Sequence, residues 1–150
     1  MIQMRMKDLF FDSAAVTGAV SKERRRALSK AGAFIRRTAR QSMRKGAGPS
    51  KPGRPPNRHA NPLLYSRLFF AYDSSTRSVI VGSEALNGGS APNTLEFGGD
   101  VVVPRRSRGG SVVEARPAKV PPRPYMGPAL AKELPKLAEP WANSLRGGPG

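Results

Sequence analysis

Residues 13–45 read SAAVTGAVSKERRRALSKAGAFIRRTARQSMRK, and this run decides the fold. It contains no proline, and only Gly18 and Gly32 weaken it as a helix. Val16, Val20, Ala27, Ala31, Phe34, Ile35 and Thr38 recur at helical intervals, which predicts one apolar face. Arg25, Arg26, Lys30, Arg36, Arg37, Arg40 and Arg44 mark the opposite surface. Asp12 or Ser13 suits the N-cap, with Ser21 as a fallback, because Glu23 falls one position short of a capping box on Ser21. Gly46, Gly48 and Pro49 mark the end of the run. Before it, Ile2, Met4 and Met6 alternate with polar residues, predicting a short strand, and Leu9-Phe10-Phe11 is read as an anchor into the core.

Residues 46–62 are rich in proline and glycine and read as a flexible basic loop, a length that in a small domain is usually functional or disordered. Residues 63–82 read as a hairpin. Leu64 to Tyr72 is one strand, Asp73-Ser74-Ser75-Thr76 the turn, and Ser78 to Gly82 the return. Within it, Leu68-Phe69-Phe70-Ala71-Tyr72 is read as buried core rather than as rings presented for stacking. Residues 87–93 read as a loop, and Thr94 to Phe97 as a short helix capped by Thr94 or Asn93. A second hairpin pairs Val101-Val102-Val103 with Val112-Val113 across a basic glycine turn at residues 105–110. Prolines hold Arg116 to Pro124 extended, and Pro128 suits the first turn of a following helix. Leu130, Leu134, Leu137 and Trp141 form a stripe on it, and Pro135 and Pro140 leave it short or kinked. The expected organisation is a single domain over residues 1–145 with a loose tail at 146–150.

Composition narrows the function. The chain has 150 residues, with 26 Lys and Arg against 10 Asp and Glu, a net charge of +16. Such a chain is drawn to nucleic acid, acidic protein faces or anionic lipid. It has no cysteine, so disulfides and thiolate metal sites are excluded. Its one histidine, His59, lies in a Pro/Asn-rich stretch that offers no rigid frame for a metal ligand or a catalytic base. Residues 1–12 lack the apolar region of a secretory leader, and no run approaches the 18 apolar residues of a membrane span. The expectation is a cytoplasmic protein, or one packed into a particle assembled there, with no membrane partner, cofactor, metal or catalytic residue.

The main chemical signal is the basic cluster. Residues 21–58 hold 13 of the 26 Lys and Arg and one acid, Glu23. Arginine dominates, which favours forked contacts to phosphate or carboxylate over mere solubility. Arg36, Arg37, Arg40, Arg44, Lys51, Arg54 and Arg58 are the expected contacts to DNA or to an acidic partner. Glu96 and Asp100 lie four apart, but Gly98-Gly99 separates them, so they are not read as a catalytic pair. Glu96 is expected to meet an arginine at a turn or an interface. Tyr125 and Met126, flanked by Pro124 and Pro128, read as an apolar plug on a stiff arm, equally suited to this protomer's own core or to a neighbour.

The order of parts then carries a resemblance. A long helix leads to Pro52-Gly53-Arg54-Pro55-Pro56, a hairpin ending in Val81-Gly82, Leu95-Glu96-Phe97-Gly98-Gly99, and a second hairpin. Arg123-Pro124-Tyr125-Met126-Gly127-Pro128-Ala129-Leu130 and a terminal helix follow. Across most of residues 20–140 this resembles the tail-component and tail-completion (neck, head–tail joining) proteins of long-tailed bacteriophages. The resemblance implies an α+β fold, with a small antiparallel sheet packed against the long helix. It also implies a non-enzymatic virion protein, one subunit of a connector ring between the DNA-filled head and the tail tube, with six copies favoured. Portal-side connector and tail-tube proteins would flank the ring, and packaged DNA could occupy its lumen. Leu95, Glu96, Phe97, Arg123, Pro124, Tyr125 and Met126 are then the expected inter-subunit contacts. A free-standing, sequence-independent nucleic-acid-binding protein is the alternative reading.

Overall fold

The proline-free run becomes α1, Ser13–Ser42, the longest element of a computed structural model that describes residues 13–84, 91–103, 105–108 and 111–139. The strand and anchor expected before residue 13, the Asp12 cap, Trp141 and the 146–150 tail lie outside the described residues, as does part of each loop expected at 87–93 and 105–110. The buried face of α1 is Ala27, Ala31, Ile35 and Ala39, each four residues from the last, and Met43 continues it just past the helix end. This corrects the expected face. Val16 is exposed, Phe34 is only half-buried, and Thr38 donates its hydroxyl to Glu133 at 2.6 Å. The reason is where partners reach the helix, since residues 14–19 are all exposed.

Small residues on that face let neighbours approach closely. A Cβ added at Gly32 would lie 2.7 Å from Val79 Cγ2 and 3.0 Å from Phe70 Cδ2, so the hairpin crosses α1 here. That hairpin is β1, Leu68–Asp73, paired antiparallel with β2, Ser78–Ser83, in the register Phe70↔Val81 and Tyr72↔Val79. Its turn is built on Asp73, whose carboxylate accepts from Ser75 N (2.9 Å), Ser75 Oγ (2.6 Å) and Thr76 Oγ1 (2.7 Å). These bonds, the Ser75 hydroxyl first, hold its carboxyl at about 2. Leu68 is buried, but Phe69 and Ile80 point outward, so the expected all-buried aromatic run is buried on one face only.

Two further expectations change. The first half of the supposed long strand is a helical turn, α2, Pro62–Ser66, started by Pro62, which locks φ where the first helical residue needs it. Val101 to Val103 does not pair with Val112-Val113. Instead α3, Ala91–Phe97, leads into β3, Gly99–Val103, which pairs with β6, Arg116–Val120, in the register Val101↔Ala118. The inner ladder is β4, Arg106–Arg108, against β5, Ser111–Val113. A proline-bearing strand is tolerated because β6 pairs on one side only. Among the described residues the strands thus form three two-stranded antiparallel ladders. With the helices they make the expected α+β fold.

The chain ends its described part in α4, Met126–Glu133, and a 3-10 turn, Leu134–Lys136, that begins just before Pro135. The expected short helix is present, but its stripe is not the buried one. Leu130 and Leu134 are exposed, whereas Ala129 and Glu133 face inward. Thr38 above all holds the Glu133 carboxyl below the usual carboxylate range. Burial opposes this, and Lys136 and Lys132 reinforce it. The core gathers Ile35 and Ala39 of α1, and Met43 just past its end, with Leu64, Leu68, Tyr125 and Ala129. No helix among the described residues is long and apolar enough to cross a membrane.

Candidate anion-binding face

Arg36 and Arg40 of α1 flank its alanine stripe, each one residue past a buried position and itself half-buried. Arg36 and Arg40 are four residues apart, about 6 Å of helix rise, and Arg44 follows just past the end of the helix at Ser42. Arg36, Arg37 and Arg40, with Ala33, Gln41 and Tyr65, line an open groove of about 390 Å³. Arg36 donates Nε to the Leu68 carbonyl, which fixes its fork against the start of β1. Tyr65 comes from α2. It is set beside α1 because the Arg58 amide donates to the Arg44 carbonyl (3.0 Å) and the Asn61 amide to the Asn57 carbonyl (3.1 Å), folding the chain back. The Arg40 guanidinium then lies 4.4 Å from the Tyr65 ring centre, and that of Arg58 lies 5.4 Å from it. Arg37 stacks on Phe34 at 4.9 Å.

The four ion pairs formed among the described residues join Glu23 to Arg26, Glu84 to Arg67, Glu114 to Arg105 and Glu133 to Lys136. None reaches Arg36, Arg37, Arg40, Arg44, Lys51, Arg54 or Arg58. Four of those seven expected contacts are thus brought to one region: Arg36, Arg37 and Arg40 in the groove and Arg58 across Tyr65, while Arg44 is exposed just past the end of α1. Lys51 and Arg54 are exposed at the tip of the 46–62 segment, outside the groove lining. That segment is irregular but tied down. Gly53 N donates to Pro122 O (2.9 Å), Asn57 Nδ2 to Gly48 O (2.9 Å), and Arg123 Nε to Ser50 O (3.0 Å). Tyr65 is the site residue that the sequence reading missed, since it was taken for part of a strand.

The expected inter-subunit residues have a different fate. The Glu96 carboxylate, buried at the end of α3, accepts from three successive backbone amides. These are Tyr125 N (2.8 Å) and Met126 N (3.0 Å) on Oε2, and Gly127 N (2.8 Å) on Oε1. It caps α4, whose own N-cap residue, Tyr125, offers no side-chain cap. This corrects the expected arginine partner. The Arg123 amide donates to the Leu95 carbonyl (2.6 Å), completing the seam. Gly98, at φ +77°, makes the exit possible, because a Cβ there would press 3.0 Å from Pro122 Cδ and 3.1 Å from the Val120 carbonyl.

Tyr125 is 2% exposed in this protomer's own core, and Leu95 and Met126 pack against the same cluster. Burial, with the Glu96 charge second, pushes the Tyr125 phenol up to about 12, and the nearby Ser83 opposes this. The arm therefore docks on its own subunit, with Arg123 and Pro124 half-buried along it. Of the seven residues expected to meet a neighbour, Phe97 alone is broadly exposed, at 78%. Among the described residues no group of three acidic or histidine side chains is placed to hold a metal ion. No family model, curated protein or solved structure matches the chain.

Proposed function

We propose that the chain is a structural virion protein of the head–tail junction of a long-tailed bacteriophage, one subunit of a connector ring whose arginine face meets a polyanionic counterpart. The observation that carries this reading is the basic face, where arginines converge around Tyr65 with no carboxylate of the described chain to neutralise them. Copies of a +16 chain repel one another, so a ring of them needs counter-charge from packaged DNA or an acidic neighbouring ring. The coupling of the two motifs behind the phage resemblance also supports the reading. Glu96 of the first directly caps the helix that the second begins.

The contact between copies moves from the arm to exposed apolar side chains, with Phe97 first and Val102, 71% exposed on β3, second. Closed rings use heterologous contacts, which such patches can supply. Imaging of particles made with and without this protein tests the reading. Its absence is expected to leave heads and tails unjoined, and Phe97→Asp is expected to convert a ring to monomers in sedimentation. Normally joined infectious particles without the protein would end this reading. A monomer that binds DNA alone would leave the free-standing nucleic-acid-binding protein in its place.

A further inference from the structure

We infer that the groove between α1 and α2 seats the sugar-phosphate backbone of duplex DNA without reading its bases, with Tyr65 as the positioning residue that sets the guanidinium forks. The inference rests on the preceding reading for the source of that DNA, and on the groove's own geometry for the chemistry. Arg36 and Arg40 lie one turn apart on α1, about 6 Å of rise, a spacing suited to successive phosphates along a strand and not to a single carboxylate. The groove, about 390 Å³ and open to solvent, takes a phosphate with part of its sugar. Arginine is the side chain that grips phosphate with two parallel donors.

Tyr65 argues against base reading. Arg40 and Arg58 already crowd its ring, at 4.4 and 5.4 Å, so it is engaged with cations and is not offered as a stacking platform. That engagement costs the arginines rotamer freedom before any ligand arrives, which lowers the entropy lost on binding. Another copy of this chain is a poor occupant, since 26 basic residues face 10 acidic ones in each copy.

The test is salt-titrated binding of the full-length protein to labelled duplexes of about 20 base pairs with unrelated sequences, where each phosphate contact adds about 0.9 to the slope of log affinity against log salt. Equal affinity for all duplexes is expected. Arg37→Gln/Arg40→Gln/Arg58→Gln should flatten the slope by about 3. Arg36 is left intact because it also braces β1. Tyr65→Leu should weaken binding about threefold, with Tyr65→Phe restoring it, since the ring and not the hydroxyl holds the forks. Unchanged binding by the triple variant overturns the groove assignment. Binding of polyglutamate with no binding of duplex overturns the choice of DNA. Equal weakness of the Phe and Leu variants overturns the role of Tyr65. Sedimentation of the same samples separates this from the neck reading. DNA held in the groove by a lasting monomer keeps the inference and removes the ring, whereas a ring with arginine-independent binding does the reverse.

Discussion

The seam between α3 and α4 and the arginine face of α1 use charge in opposite ways. At the seam one carboxylate, Glu96, is buried and saturated by three backbone amides of the same protomer. On the helix, several guanidinium groups stand together with rings and a carbonyl for company but no carboxylate of the described residues. Charge consumed inside the fold serves the fold. Charge left unneutralised at a cost in self-repulsion is the part that needs an outside partner to explain it. The lesson also assigns Glu96 and the Tyr125 arm to architecture, and leaves contact with other molecules to exposed residues such as Phe97 and to the arginines of α1.

The largest test of this contrast is at the seam. Glu96→Ala strips three amides of their acceptor and should cost about 3–5 kcal/mol in denaturant unfolding. Glu96→Gln, which keeps one acceptor oxygen, should fall between it and the parent. A loss below about 1 kcal/mol would mean that the cap is not structural. Next is an alkaline signature of Tyr125. Its phenol is raised to about 12 from 10.0, so the folded state favours the neutral form. That contribution is whole below pH 10 and is lost as pH rises from 10 towards 12. The full shift corresponds to about 2.7 kcal/mol, which solvent screening trims to about 1–2. Tyr125→Phe should remove a phenolate absorbance step near pH 12, together with that part of the alkaline loss of stability.

Smaller effects sharpen the comparison on α1 itself. Gly32→Ala gains about 1 kcal/mol of helix propensity but forces a methyl against Val79 and Phe70. The net loss should be about 1 kcal/mol by thermal unfolding. Arg40→Gln, eight residues further along the same helix, should shift stability by no more than about 0.5 kcal/mol. If it costs several times that, the arginine is a structural brace and the contrast fails.

The legible part of this chain was the part settled locally. The long helix followed from a proline-free run bounded by glycines, and the arginines of its outer face could be named residue by residue. Ala39 and Met43 were missed as core because they sit among Arg36, Arg37, Arg40 and Arg44, although they continue the four-residue spacing of Ala27, Ala31 and Ile35. They are buried only because Leu64, Leu68 and α4 arrive from elsewhere. Leu64 and Tyr65 looked like strand because the apolar Leu68–Tyr72 run follows them after only Ser66 and Arg67, and Pro62 was the available signal for a helix start. The pairing of β3 with β6 was hidden for a related reason. A glycine turn promised the nearer partner, and the chain nests one ladder beyond the other. Glu96 was half legible, since a helix start without a capping side chain must find its acceptor elsewhere, but nothing local says which acid supplies it.

The stitch between Gly53 and Pro122, doubled by Arg123 on Ser50, makes the irregular segment and the arm a single strap. Prying the arm from its bed at one end would therefore slacken the stretch that carries Arg58 towards Tyr65. Seating of a neighbour and grip on an anion would then be reciprocal quantities, each altering the other by the same factor. The exchange rate of the Gly53 amide, followed as either event occurs, is the gauge on which such traffic would register.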